Sequence, residues 1–249
     1  MNSKAKEKKM ATKFKIIEDA SHAIGGKYKN EPIGNCKYSD ITVFSFHPVK
    51  IITTGEGGVA STNSEELASR MRRLSSHGIT NKLAEMDSRP ENEIWNYQQI
   101  ELGYNYRMTD LQGAIGVVQL EKLDQFIDER AKWASFYKKE LAAIPWISLP
   151  NFSDDYKHGW QSFVLLIDEE KSPYSRNKIM ERLQEAGIST RPGTHAVHML
   201  GFYKEKYNIQ PQDYPGAQIA NDKSISIPLH NRMVKEDFDY IVHSIKNIY

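Results

Sequence analysis

Side chains able to do chemistry cluster in four short runs: Glu18-Asp19-Ala20-Ser21-His22, Ser45-Phe46-His47-Pro48-Val49-Lys50, Thr53-Thr54-Gly55-Glu56-Gly57-Gly58 and Gly103-Tyr104-Asn105-Tyr106-Arg107-Met108. A lysine just after a strand end, followed by a glycine-rich turn, can be held rigidly while another molecule comes close to the backbone, because glycine carries no Cβ. Desolvated or set beside other positive charge, such a lysine loses pKa and becomes a nucleophile able to form a Schiff base. An aspartate at the end of a neighbouring strand is the partner a pyridinium nitrogen requires, since its charge keeps the ring protonated and the electron sink strong. Lys50 and Asp19 hold those places, and Ser45 and His47 could donate to a phosphate.

Each feature also has a plain structural use. Lys50 could be a solvated surface lysine, Asp19 a turn or cap residue, and His22 and His47 satisfied structural histidines. Gly55, Gly57 and Gly58 would serve a tight hairpin, and Asn105 and Arg107 could brace the start of the next helix. Eight histidines invite a search for metal ligands. His195 and His198 stand three apart, but no cysteine or carboxylate lies at ligand spacing, which argues against a structural zinc and leaves no metal expected. No G-x-S-x-G elbow and no G-x-x-x-x-G-K-[ST] phosphate loop occurs.

The elements that must position these groups follow from periodicity. Phe14, Ile16 and Ile17 leading into Glu18-Asp19, and Ile41, Val43 and Phe44 leading into Ser45, read as two short buried strands with polar ends. That arrangement suits an α/β sheet, whose ligands lie outside the carboxyl ends of its strands. Asn63 and Ser64 offer N-caps for a helix over SEELASRMRRL, and Thr109 and Asp110 do so for a long helical stretch running to Trp133 and Leu141 and ended by Pro145. Beyond Pro150 the pattern resets: 160–167 predicts a strand, 176–187 a helix closed by Gly187, 224–228 a strand and 236–248 an amphipathic helix. The division expected is a Lys-rich arm or helix over 1–13, a large-domain part over 14–125, and a connecting helix with a small α+β domain over 126–249.

Composition narrows the class. The chain has 249 residues, 39% apolar and 26% charged, which excludes overall disorder. Lys+Arg is 33 against Asp+Glu 32, a formal charge of +1, so nothing global attracts a nucleic acid. No run approaches the roughly 20 apolar residues of a membrane span. Cys36 is the single cysteine, so no internal disulfide can form and a reducing, cytoplasmic setting is expected.

Several motifs in order, IIEDASHAIGGKYKNEPIG, SDITVFSFHPVKIITTGEGGVAST, SHGI, LGYNYRMTDLQGAIGVVQLEKL, ISTRPGTHAVHMLGFYKEKY, DYPGAQIA and ISIPLHNRM, resemble the DegT/DnrJ/EryC1/StrS family of fold-type I aminotransferases. The resemblance covers nearly everything from Phe14 onward and implies pyridoxal 5′-phosphate as cofactor. By it, Lys50 is the Schiff-base lysine and the base that moves the 1,3-proton, Asp19 pairs with the pyridine nitrogen, His22 lies by the ring and its phenolic oxygen, and Ser45 binds the phosphate. Asn105 is implied to reach the phosphate in a partner subunit's site, which makes the active unit a dimer, with Arg107 near the same place. His195, His198 and Tyr203 fall in the family's substrate-facing C-terminal region. The implied reaction is ping-pong: an amino acid such as glutamate leaves its nitrogen on the cofactor, and a nucleotide-linked keto-sugar takes it.

The same resemblance implies a family chain that begins well before this one, with a Gly-Thr-type phosphate-cradling turn and an aromatic residue stacked on the ring that MNSKAKEKKMATKF does not supply. On that reading the chain is the C-terminal part of a fold-type I large domain, with an incomplete sheet and an exposed edge, plus the small α+β domain. Cofactor attachment would then be weak. The alternative function is that of a non-catalytic fragment that at most associates with a homologous subunit.

Overall fold

The computed structural model describes residues 14–86 and 96–248. The expected Lys-rich arm over 1–13 lies outside the described residues. In chain order the strands are β1 (Ile17–Asp19), β2 (Lys27–Tyr28), β3 (Glu31–Pro32), β4 (Ile41–Ser45), β5 (Gly58–Ser61), β6 (Ile79–Thr80), β7 (Gln98–Gln99), β8 (Ile147–Ser148), β9 (Tyr156–Lys157), β10 (Phe163–Ile167) and β11 (Ser224–Ile227). The α-helices are α1 (Glu65–Leu74), α2 (Asp110–Glu121), α3 (Leu123–Leu141), α4 (Arg176–Glu185), α5 (Gly201–Tyr207), α6 (Pro215–Lys223) and α7 (Lys235–Lys246). The chain divides into two compact units, Met1–Leu123 and Asp124–Tyr249.

In the first unit β4 lies between β1, which it pairs in parallel, and β5, which it pairs antiparallel. Parallel strands share a direction, so β1 and β4 carry their carboxyl ends to one edge. Alternation along β4 buries Thr42 and Phe44 on one face. Helix α1 starts at Ser64, whose hydroxyl accepts the Leu67 N–H at 3.3 Å, and acids in its first turn with arginines in its last suit the helix dipole. Thr109 and Gln112 form a reciprocal capping box at the start of α2.

In the second unit β10 lies between β11 and β8, antiparallel to both. Phe163, Leu165 and Ile167 alternate inward along β10 and meet Ile225 and Ile227 of β11. Helices α3, α4 and α7 lay their apolar stripes, including Ala134, Leu141, Ile179, Leu183 and Val242, into the same core. Tyr137 is fully buried, with Phe163 at 5.2 Å and Phe238 at 5.3 Å between ring centroids. Its hydroxyl donates to the Pro228 carbonyl at 2.8 Å, and burial pushes the phenol far above its ordinary pKa, so it stays a donor. The Arg130 guanidinium is also buried and satisfied, donating to Asn231 Oδ1 at 2.7 Å and to the carbonyls of Trp160 at 2.9 Å and Leu229 at 3.0 Å.

Two sequence expectations are corrected. The stretch from Asp110 is two helices: Lys122 takes φ −96° and ψ −4°, and its N–H turns to Gln119 at 3.2 Å, tightening and ending α2. Helix α3 ends at Leu141, where the spacing places its end ahead of Pro145: a residue preceding proline is disfavoured in the helical region, and Ile144 turns back onto Leu141. The strand expected from residue 160 starts at Phe163, since Trp160 sits at φ 52° and cannot be extended. Gly187 does close α4, at φ 75°.

Next to that bend, His158 Nδ1 accepts the Trp160 N–H at 2.8 Å, and its ring stacks on Phe152 at 5.2 Å. Burial holds its pKa below the ordinary 6.5. The unfolded chain therefore takes up a proton more readily than the folded one. Stability from this contact is full above pH 6.5 and declines as the pH falls from there toward the lowered folded value. In melting curves recorded from pH 7.5 to 5, His158→Gln is expected to flatten the acid-side fall in Tm. An unchanged slope would place the proton uptake elsewhere.

Candidate functional site

The site grows from the carboxyl ends of β1 and β4. Register sets Asp19 level with Val43, and the Ala20 N–H donates to the Val43 carbonyl at 2.8 Å. Asp19 therefore leaves the sheet two residues short of Ser45, at the same edge. Alternation turns Glu18 the other way, where it accepts the Thr42 hydroxyl at 3.0 Å. Asp19 Oδ1 accepts both the Ser21 hydroxyl at 2.5 Å and the Ser21 N–H at 3.0 Å. These two donors, aided by His22 and Lys50, hold its carboxyl below the usual carboxylate range against the opposing effect of burial.

His22 and Lys50 belong to the same electrostatic group. Burial of the His22 ring lowers its pKa, the Lys50 charge lowers it further, and Asp19 opposes both. The imidazole is thus kept neutral beside a carboxylate and an amine. Lys50 is half-buried. Its position is fixed by a turn in which its N–H donates to the His47 carbonyl at 2.9 Å, and by Ile51 and Ile52, both buried directly after it.

The glycine-rich run closes this loop. Phe46 N–H donates to the Gly57 carbonyl at 2.8 Å, and the Phe46 carbonyl receives Thr54 N–H at 3.0 Å and the Thr53 hydroxyl at 2.9 Å. The β4–β5 connection is therefore a twelve-residue loop, 46–57, folded back on itself by Thr53 and Thr54, not a tight hairpin. A Cβ on Gly58 would sit 2.7 Å from the Phe44 carbonyl oxygen, so only glycine fits that rung of the ladder. Ser45 Oγ accepts the His47 N–H at 3.3 Å, which leaves its own proton to donate.

Asn105 and Arg107 lie on a separate exposed segment of the first unit. Tyr104 N–H donates to Leu74 at 2.7 Å, Tyr106 N–H to Ser75 at 2.9 Å, and His77 N–H to the Tyr104 carbonyl at 2.9 Å. Tyr104 and Tyr106 stack at 5.0 Å with 5° between their planes, so Asn105 and Arg107 alternate to the other side. Arg107 lines a cleft of about 520 Å³ with Ser76, His77, Asn81 and Tyr97. Gly78 fastens the segment: at φ 71°, a Cβ there would stand 1.8 Å from the Glu101 carbonyl oxygen. Gly78→Ala is expected to cost at least about 1–3 kcal/mol from the left-handed backbone alone, read as a lowered urea midpoint. A midpoint equal to that of the unsubstituted protein would contradict this packing.

In the second unit His195, His198 and Tyr203 come together, lining a cleft of about 870 Å³ with Tyr207 and Tyr214. His198 is buried, with Nε2 3.1 Å from the Pro211 carbonyl oxygen and its ring 5.0 Å from that of Tyr214, whereas His195 is exposed. The two short helices α5 and α6 that carry this wall have no counterpart in the sequence reading. Nor did that reading give a role to Ser21, although an aspartate two residues before a serine is the signal of a local side-chain turn. His77 lies in the SHGI motif, whereas Asn81 and Tyr97 carried no local signal, because only the fold brings them to one cleft.

Residues 5–246 match the DegT/DnrJ/EryC1/StrS aminotransferase family. The chain is 34% identical over 234 residues to the spore coat polysaccharide biosynthesis protein SpsC of Bacillus subtilis, covering 94% of this chain and 59% of that protein. It is 35% identical over 234 residues to the UDP-4-amino-4,6-dideoxy-N-acetyl-beta-L-altrosamine transaminase of Campylobacter jejuni, covering 94% and 58%. Among solved structures, PseC of Helicobacter pylori, an aminotransferase involved in the biosynthesis of pseudoaminic acid, superposes with a TM-score of 0.85 at 26% identity, over 97% of this chain and 61% of that one. Spr1654 of Streptococcus pneumoniae in its PLP form gives 0.80 at 27% identity, over 92% and 56%. These neighbours have the fold-type I aminotransferase architecture, and aminotransferases of the family use pyridoxal 5′-phosphate. The chain spans about three-fifths of the length of these curated relatives. No helix among the described residues is long and apolar enough to cross a membrane. The chain belongs to the DegT/DnrJ/EryC1/StrS aminotransferase family.

Proposed function

We propose that this chain serves a pyridoxal phosphate-dependent amino transfer from an amino acid, such as glutamate, to a nucleotide-linked keto-sugar. The observation that carries the reading is the mutual electrostatics of Asp19, His22 and Lys50 at the carboxyl edge of the sheet. These residues fit the cofactor chemically. A carboxylate held charged by Ser21 is the partner for a protonated pyridine nitrogen. A neutral imidazole suits a place beside the ring, and the free hydroxyl proton of Ser45 suits a phosphate oxygen. When bound, the cofactor supplies the electron sink for breaking bonds at the carbon that bears nitrogen.

The chain's own groups do the rest. Lys50 Nζ is the amine of this trio, able both to attach covalently and to take up and return a proton. Asp19 keeps its negative charge through that exchange because Ser21 stabilises the charged form. Asn105 and Arg107, exposed and outside the Asp19–Lys50 group, are proposed to serve a partner subunit's site in a homodimer or an association with a homologue. The substrate of the Campylobacter jejuni relative makes a UDP-linked keto-sugar the first acceptor to test. Turnover with glutamate, followed by mass change of the sugar nucleotide, tests the proposal. Cofactor attachment at Lys50 without turnover would favour the non-catalytic reading.

A further inference from the structure

Lys50 closes a four-residue turn, His47-Pro48-Val49-Lys50, in which its N–H donates to the His47 carbonyl at 2.9 Å. Proline suits the second place of such a turn because its ring presets φ at about −65°. The first place favours Asp, Asn and Ser, whose side chains accept the N–H two residues on. His47 stands there and does the same with a ring nitrogen: Nδ1 accepts the Val49 N–H at 3.3 Å. Its own N–H donates to Ser45 Oγ at 3.3 Å. Backbone and ring of one residue thus link the serine at the end of β4 to the lysine.

Packing gives this turn little help. Phe46 is buried before it and Ile51 and Ile52 after it, but residues 47–49 are exposed. The course of the chain into Lys50 therefore depends on hydrogen bonds. The other ring nitrogen bears on the histidine's role. An Nδ1 that accepts carries no proton, so the neutral ring bears its proton on Nε2. Nε2 stands 4.0 Å from Glu56 Oε1, at the far end of the same loop. A phosphate oxygen placed there would meet that carboxylate, which argues against His47 as a phosphate contact.

We propose that His47 is a positioning residue for Lys50: its imidazole, standing in for the asparagine or aspartate of such turns, holds the lysine backbone in place relative to Ser45. The inference rests on the reading of Lys50 as the amine that bonds the cofactor. Two measurements on the full chain test it. The first is the rate of attachment at Lys50, trapped by borohydride, with pyridoxal phosphate and with 5-deoxypyridoxal, the same aldehyde without the phosphate. His47→Ala is expected to slow both about 3- to 10-fold, the worth of one net hydrogen bond. His47→Asn, whose Oδ1 can accept the Val49 N–H, should restore most of the rate. The second is hydrogen–deuterium exchange without cofactor, in which the peptide spanning Val49 and Lys50 should exchange faster in His47→Ala and near the parent rate in His47→Asn. His47 is exposed, so both variants should keep the parent melting temperature.

Attachment unchanged by His47→Ala would overturn the inference, as would an asparagine variant as slow as the alanine one. Slowing confined to pyridoxal phosphate would also overturn it, by making His47 a phosphate contact. Attachment in the parent with exchange indifferent to His47→Ala removes this inference alone. Faster exchange in His47→Ala with no attachment at Lys50 in the parent removes the aminotransferase reading and leaves the histidine as the brace of this turn.

Discussion

Lys50→Ala is expected to abolish covalent attachment of pyridoxal phosphate completely. With the cofactor in excess, borohydride reduction of the unsubstituted chain should fix the label on the peptide that contains Lys50, and the variant should show none there. The effect is all-or-none because the amine is the bonding atom. The chain has many other lysines, but Lys50 is held half-buried at a loop fixed by Ile51 and Ile52, in one electrostatic group with Asp19 and His22. Lys50→Arg separates charge from nucleophilicity. It keeps a cation beside His22 and should also carry no label. Equal labelling of parent and alanine variant would sink the assignment.

The strands and caps that carry this site were legible in the sequence because their signals are local. Ile41–Ser45 alternates and ends on a polar residue, Ser64 and Thr109 cap the helices that follow them, and Gly187 stops α4. Helix breaks were less legible. Nothing in the apolar spacing marks Lys122 as the end of α2, since the break lies in one residue's backbone angles. The left-handed turn at Trp160 was hidden for the same reason, a bulky residue being an uncommon occupant of φ 52°. The candidate site divides likewise. Asp19 and Lys50 could be picked out by type and place at strand ends, but the role of Ser21 emerged only from the two hydrogen bonds it gives Asp19. The Arg107 cleft draws on residues 76–81, 97 and 107, which tertiary structure alone assembles.

Asp19→Asn is expected to weaken cofactor retention and turnover by about 30- to 3,000-fold, corresponding to roughly 2–5 kcal/mol for losing one member of a hydrogen-bonded charge pair in the loaded site. Asparagine keeps the size of the side chain and an oxygen that can accept from Ser21, so the loss isolates the charge. Titration with pyridoxal phosphate, followed by absorbance, measures the first effect, and turnover measures the second. Ser21→Ala provides the complementary test. Ser21 is the largest contribution holding the Asp19 carboxyl below its ordinary pKa of 3.8. A lowered folded pKa means that the charge survives acidification further than in a free aspartate, and removing Ser21 must shorten that range. In the parent, cofactor retention should persist as the pH falls toward 4, while in Ser21→Ala the decline should begin at higher pH. In Asp19→Asn this carboxylate titration should vanish, leaving a weak but flatter profile. A Ser21→Ala profile identical to the parent would show that the carboxylate's charge does not depend on the hydroxyl that lies 2.5 Å from it.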